Sequence, residues 1–124
     1  MIFKYFRELK LVVEKFDYLI ASCTINEKTY SSEKGYIEGQ IFFTDDSCLD
    51  FAEVKDIGIV NKIKFSYHYM DKENQLIFRY DNAKHFPNLS SFPNHKHKPD
   101  EVIESVEPKL ENILQEISDF VVAG

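Results

Sequence analysis

Residues 62–98, KIKFSYHYMDKENQLIFRYDNAKHFPNLSSFPNHKHK, decide how the rest of the chain is read. Residues 61–70 and 75–82 alternate apolar and polar positions, the pattern of two half-buried strands. Asp71-Lys72-Glu73-Asn74 between them is turn chemistry, because Asp and Asn tolerate turn geometries and bond their own backbone. Side chains point alternately to the two faces of a strand. Ile63, Phe65, Tyr67 and Tyr69 therefore share one face, and Lys64, Ser66, His68 and Met70 the other. On the return strand, Leu76, Phe78 and Tyr80 alternate with Ile77, Arg79 and Asp81. An even hairpin loop brings the two apolar sets together and sets His68, Ser66 and Lys64 beside Arg79 and Asp81. An odd loop or a bulge breaks that match.

After Asp81 the alternation stops. Asn82–Pro99 holds three of the four prolines and no apolar period. It reads as a long loop, and loops of that length in compact domains are functional or disordered. Phe86, Leu89 and Phe92 are spaced to anchor it, which argues for order. All four histidines, His68, His85, His95 and His97, fall in this segment. Residues 61–98 carry seven Lys/Arg against three Asp/Glu, whereas residues 1–60 carry seven against eleven and residues 99–124 one against seven. An acidic chain, −6 overall, thus holds one basic, imidazole-bearing segment in its middle.

Working outward, Ile2, Phe6, Leu9, Val13 and Phe16 step by four and three, so residues 3–16 read as an amphipathic helix. A strand follows to about Tyr30. Tyr36–Thr44 and Cys48–Lys55 form a hairpin closed at Asp45-Asp46-Ser47, and Gly39 inside the first of these marks a bulge or a close-packed neighbour. Past the long loop, Val102-Ile103 reads as a short edge strand. Pro108 opens a last helix with Leu110, Ile113, Leu114, Ile117 and Val121 at helical spacing. The expected architecture is α+β: a single domain over residues 1–124, an antiparallel meander of about five strands flanked by an N-terminal and a C-terminal helix.

With 124 residues, one domain with a real core is the expectation. No apolar run is long enough to span a bilayer, and the N-terminus breaks into charges too early for a secretory signal, so the cytoplasm is the expected compartment. Cys23 and Cys48 lack metal spacing and read as reduced core residues. The net charge argues against bulk coating of nucleic acid but leaves room for a local basic site.

Two readings stand for His68, Arg79 and Asp81. They fit a proton-transferring imidazole, a phosphate-binding guanidinium and an orienting carboxylate. On the residues alone, a solvated strand face with a cross-strand ion pair is the favoured reading. His95-Lys96-His97 with His85 offers imidazoles to a transition metal, but no Cys or carboxylate stands near in sequence to complete a set, so no metal or cofactor is expected. The remaining readings are an imidazole-rich lip that meets phosphates and an exposed polar loop. Tyr67 and Phe78 read as sheet core rather than as a base-stacking surface. Asp45, Asp46 and Asp50 read as structural. Glycine-rich phosphate loops, nucleophile elbows and zincin patterns are absent from the sequence.

The ordered string Tyr67-His68, Phe78-Arg79-Tyr80-Asp81-Asn82-Ala83, His85, Phe92-Pro93-Asn94-His95-Lys96-His97 and the Pro108-initiated helix resembles a family of small prokaryotic proteins that includes the TumE-type toxins. With the upstream hairpin, the likeness covers roughly residues 35–118. The family often has a second His where Phe86 stands, a His at Asn94, a Pro at Lys84 and an Asp-Gly turn at Asp45-Asp46. Two absent imidazoles weaken a metal reading most. The resemblance implies a cytoplasmic toxin of a type II toxin–antitoxin pair, neutralised by a cognate antitoxin; analogy with other small toxins of such pairs makes a ribonuclease the expected mechanism, and the lack of carboxylate or thiolate co-ligands near the histidines makes it metal-independent. His68, Arg79, Asp81, His85, His95 and His97 are the residues it implies for that work. A non-catalytic module acting through protein partners and a metal-dependent phosphotransfer enzyme or nuclease are the alternatives, and whether the chain pairs as a homodimer stays open.

Overall fold

The computed structural model describes residues 1–123. Among them, helix α1 (Ile2–Lys15) leads through one 3₁₀ turn (Asp17–Leu19) into seven strands: β1 (Ile20–Thr29), β2 (Lys34–Phe43), β3 (Cys48–Asp56), β4 (Lys64–Met70), β5 (Leu76–Asp81), β6 (His95–Lys98) and β7 (Glu101–Glu104). Helix α2 (Leu110–Ala123) ends the chain. Each strand pairs antiparallel with the next, giving one sheet in chain order. This is the expected α+β meander between two helices, with seven strands rather than about five.

The two extra strands lie where the sequence pattern indicates a loop over Asn82–Pro99 and only a short edge at Val102-Ile103. Strand β6 is His-Lys-His-Lys and has no apolar residue to betray it. Its backbone pairs with β5 on one side and β7 on the other, and those ladder bonds hold the strand.

Both helices cover the same face of the sheet. Ile2, Phe6, Leu9, Val13 and Phe16 of the N-terminal stripe join Leu110, Ile113, Leu114 and Ile117 of α2 over Ile37, Ile41, Leu49, Phe51, Phe65, Tyr67, Tyr69 and Phe78. Burying each such large apolar side chain contributes about 1.5–3 kcal/mol. A salt bridge of 3.0 Å from Lys15 to Glu111 links the helices at the surface, where it adds little. Cys48 is buried, but Cys23 is exposed, because it lies on the edge strand β1, most of which faces solvent.

The central hairpin keeps the anticipated match. Tyr67 stands opposite Tyr80 and Tyr69 opposite Phe78 on the covered face. A bulge does occur, but between Tyr69 and Met70, so it shifts the register only at the tip, where Met70 meets Leu76. The turn is built as its residues demand: Asp71 Oδ1 accepts from the Glu73 and Gln75 amides at 2.8 and 3.0 Å, and Asn74 takes φ 63°, which its short polar side chain tolerates. Ile63 precedes β4 and is largely exposed instead of joining the apolar set.

A buried polar cluster penetrates the covered face. Glu53, 1% exposed, accepts hydrogen bonds from the hydroxyls of Tyr5 and Tyr67, the latter at 2.6 Å. Lys62 Nζ lies 3.6 Å from Glu53, and donates to Tyr67 Oη at 2.5 Å and to the Pro108 carbonyl at 2.6 Å. Burial lowers the Lys62 pKa and Glu53 partly opposes this. These bonds fasten the start of β4 to the entry of α2.

Candidate functional site on the open sheet face

The face away from the helices carries the candidate residues, and strand register brings them together. His68 on β4 stands opposite Arg79 on β5, and Arg79 opposite His97 on β6. Two residue pairs along, on the same face, Ser66 stands opposite Asp81, and Asp81 opposite His95. Partners in register share a face, so His68, Arg79, Asp81, His95 and His97 gather on one side of three strands. Lys96, between the two histidines, points to the helix side. It donates to Glu116 at 2.7 Å and its ammonium lies 4.8 Å from the Tyr80 ring centre.

The contacts are specific. Arg79 Nε donates to Asp81 Oδ2 at 2.9 Å, and Nη1 lies 3.3 Å from His68 Nδ1. A guanidinium only donates, so His68 Nδ1 is the acceptor and its proton sits on Nε2. Burial lowers the His68 pKa first and the Arg79 charge lowers it further, against an opposing pull from Asp50. His95 Nε2 lies 2.9 Å from Asp81 Oδ1, and His97 Nε2 3.6 Å from Asp81 Oδ2. The His97 pKa is also lowered, by burial above all, with Asp81 opposing and His95, Arg79 and His85 adding to the shift.

The segment before β6 closes one end of this cluster. Phe86 lays its ring against His95 and His97, with centroids 4.9 and 5.6 Å apart. Phe86 therefore anchors the segment as its spacing indicates, whereas Phe92 is left exposed. His85 is exposed next to Phe86. Of the six residues singled out in sequence, the fold brings five into contact and leaves His85 at the rim. His95 and Asp81 are buried, 1% and 5% exposed, so their roles are internal to the site, while His68, Arg79 and His97 reach solvent.

Two adjoining hollows flank Arg79. One, about 520 Å³, is lined by Asn26, Gln40, Asp50, Ser66 and His68. The other, about 760 Å³, is lined by Tyr30, Tyr36, Lys64, Asn82 and Lys84, and Arg79 borders both. Asp50 reads as structural in the sequence, yet it is the register partner of His68 and bonds Gln40 at 2.9 Å. The signal for it is its place on β3, on the face opposite Leu49 and Phe51. A family model described as Toxin TumE matches residues 9–122. Curated proteins and solved structures give no match. With the match spanning nearly its whole length, the chain belongs to the TumE toxin family.

Proposed function

We propose that this chain is the toxin of a type II toxin–antitoxin pair and that its open sheet face cuts RNA without a metal ion. The observation that carries the reading is the His68–Arg79 contact, a neutral imidazole held 3.3 Å from a cation on an exposed face. An incoming phosphodiester draws the Arg79 fork onto its non-bridging oxygens and releases His68 Nδ1. The freed nitrogen takes the proton of the 2′-hydroxyl, whose oxygen attacks phosphorus as the bond to the 5′-oxygen breaks. The products are a 2′,3′-cyclic phosphate and a 5′-hydroxyl. His85, exposed at the rim, is the group assigned to protonate the leaving oxygen. Asp81 holds the guanidinium in place. The hollow with Tyr30, Tyr36, Lys64 and Lys84 suits single-stranded RNA, since aromatic faces stack bases and cations follow the backbone.

The partner is a cognate antitoxin, and the readout is growth. Wild type, His68→Ala, Arg79→Ala and the His95→Ala/His97→Ala double are expressed without antitoxin while growth and RNA integrity are followed. Folding of each purified variant is checked by circular dichroism. The expected result is arrest with RNA cleavage by wild type, relieved by the antitoxin and lost in folded His68→Ala and Arg79→Ala. Purified protein should cut RNA in the presence of chelator and leave an oligonucleotide with a 2′-deoxy sugar at the scissile position intact. Equal toxicity of all folded variants overturns the site. Arrest with intact RNA overturns the nuclease reading.

A further inference from the structure

The sequence offers imidazoles without a co-ligand, and the fold supplies one. Asp81 lies fourteen residues before His95, but the β5–β6 ladder puts it directly opposite. The coordinating atoms of Asp81, His95 and His97 all lie within 4.8 Å of one another. His95 carries the argument. Its Nδ1 is 3.0 Å from the Pro93 carbonyl, which only accepts, so Nδ1 bears the proton and the neutral ring presents a lone pair at Nε2. That Nε2 is fully buried and lies 2.9 Å from Asp81 Oδ1, yet the two do not form a hydrogen bond. Asp81 Oδ1 accepts from the Ala83 amide at 2.9 Å, while His95 Nε2 has no hydrogen-bond partner, so two electron-pair donors lie close enough to share one further atom. The backbone carbonyl behind His95 fixes its tautomer and orientation, as outer partners do for metal-bound histidines.

We infer that Asp81, His95 and His97 form a three-ligand site for a divalent transition ion, with zinc the best match. Two imidazole nitrogens and one carboxylate oxygen suit Zn²⁺ and exclude Mg²⁺ and Ca²⁺, which take oxygen ligands. Three protein ligands leave a fourth position for solvent. His97 is the partly exposed member and gives the ion its entry. Arg79, bonded to the same carboxylate, opposes the ion by its charge and sets the site's affinity. Asp81 also holds Arg79 in the proposed cleavage, but His68 and His85, which move the protons there, are not among the ligands, so Zn²⁺ binding is read separately from RNA cleavage.

The test uses the whole purified protein, stripped of metal by chelator and then dialysed. Zn²⁺ binding is measured by calorimetry, and Co²⁺ is used as the spectroscopic probe of coordination. The expected result is one Zn²⁺ per chain, an intense four-coordinate Co²⁺ spectrum, and a Zn²⁺-dependent rise in melting temperature. His97→Ala and His97→Gln, each checked for fold, should lose the Co²⁺ spectrum and the thermal shift. Arg79→Gln should bind Zn²⁺ on the order of tenfold tighter, since a unit positive charge beside the site is removed. Absence of saturable binding by wild type, or unchanged binding and spectrum in both His97 variants, overturns the site and leaves a buried aspartate–histidine contact. RNA cleavage in the same stripped samples reports on the nuclease reading independently.

Discussion

Arg79 Nη1 lies 3.3 Å from His68 Nδ1 across the β4–β5 ladder, so the imidazole keeps a cation at the nitrogen that would otherwise take a proton. Burial and this charge both lower the His68 pKa from its ordinary 6.5. A lowered value means that the ring is still neutral at a pH where a free imidazole is half protonated. The His68 ring, followed by NMR, should therefore titrate with a midpoint below 6.5. Arg79→Gln should move that midpoint up, though burial keeps it from a full return. The unfolded chain binds this proton at the ordinary value and the folded chain only at lower pH. The stability His68 contributes is thus complete above 6.5 and lost as pH falls through the lowered value. A midpoint at or above 6.5 in wild type contradicts the arrangement.

In the proposed cleavage, Arg79 serves a phosphate with the same planar fork that meets Asp81 and His68. Lysine keeps the charge but not the geometry. Arg79→Lys should therefore lower the RNA cleavage rate by roughly 10²–10³-fold, the scale seen when one transition-state donor is lost, with little change in melting temperature. Retained cleavage by Arg79→Lys would show that only charge matters there.

How much of this is legible in the sequence follows from where the information sits. The alternation of Phe65, Tyr67 and Tyr69 against Phe78 and Tyr80 encodes the central hairpin, because one face has to be apolar to meet the helices. That alone puts His68, Arg79 and Asp81 together. Strand β6 has no such face to declare. Its one cue is the spacing of two between His95 and His97, which puts both imidazoles on one side and frees Lys96 to reach Glu116. Asp81 as a neighbour of His95 is invisible in the sequence, because the pairing is set by where a thirteen-residue excursion lands. Glu53 and Lys62 leave a fainter trace: Leu49, Phe51 and Glu53 alternate, so the strand pattern alone puts a carboxylate at an apolar position.

Glu53 tests that buried layer. Removing its carboxylate leaves Lys62 as a buried charge and two tyrosine hydroxyls without their acceptor. Glu53→Ala should lower stability by about 3–5 kcal/mol, the cost of breaking a buried pair from one side. The double Glu53→Leu/Lys62→Met, which removes both charges and restores apolar volume, should recover most of the loss. Urea unfolding at constant m-value is the measurement. Similar destabilisation in the single and the double variant would show that the layer acts by shape and not by charge.

Gly39 is the last point of contact between packing and site. It lies on β2 opposite Phe51, whose ring lies over it. A Cβ added there would overlap Phe51 Cε1 and stand 2.7 Å from Cζ. In an ordinary strand, replacing Gly by Ala is favourable by roughly 0.5–1 kcal/mol, because glycine has more chain entropy to lose. Here the sign should reverse. Phe51 is 3% exposed in the main core, so its ring has nowhere to swing. Overpacking of that kind costs about 1–3 kcal/mol. Gly39→Ala should therefore destabilise, and Phe51→Leu, which shortens the ring, should offset part of that in the double variant, giving a favourable coupling energy. The β2–β3 backbone here also floors the hollow beside His68, with Gly39 and Phe51 both lining it. A strand pushed outward by the extra methyl should thus lower RNA cleavage in Gly39→Ala more than in a variant equally destabilised at Leu9 on α1. If Gly39→Ala is as stable as wild type, the ring does not seat as described, and the strict need for glycine at this position disappears.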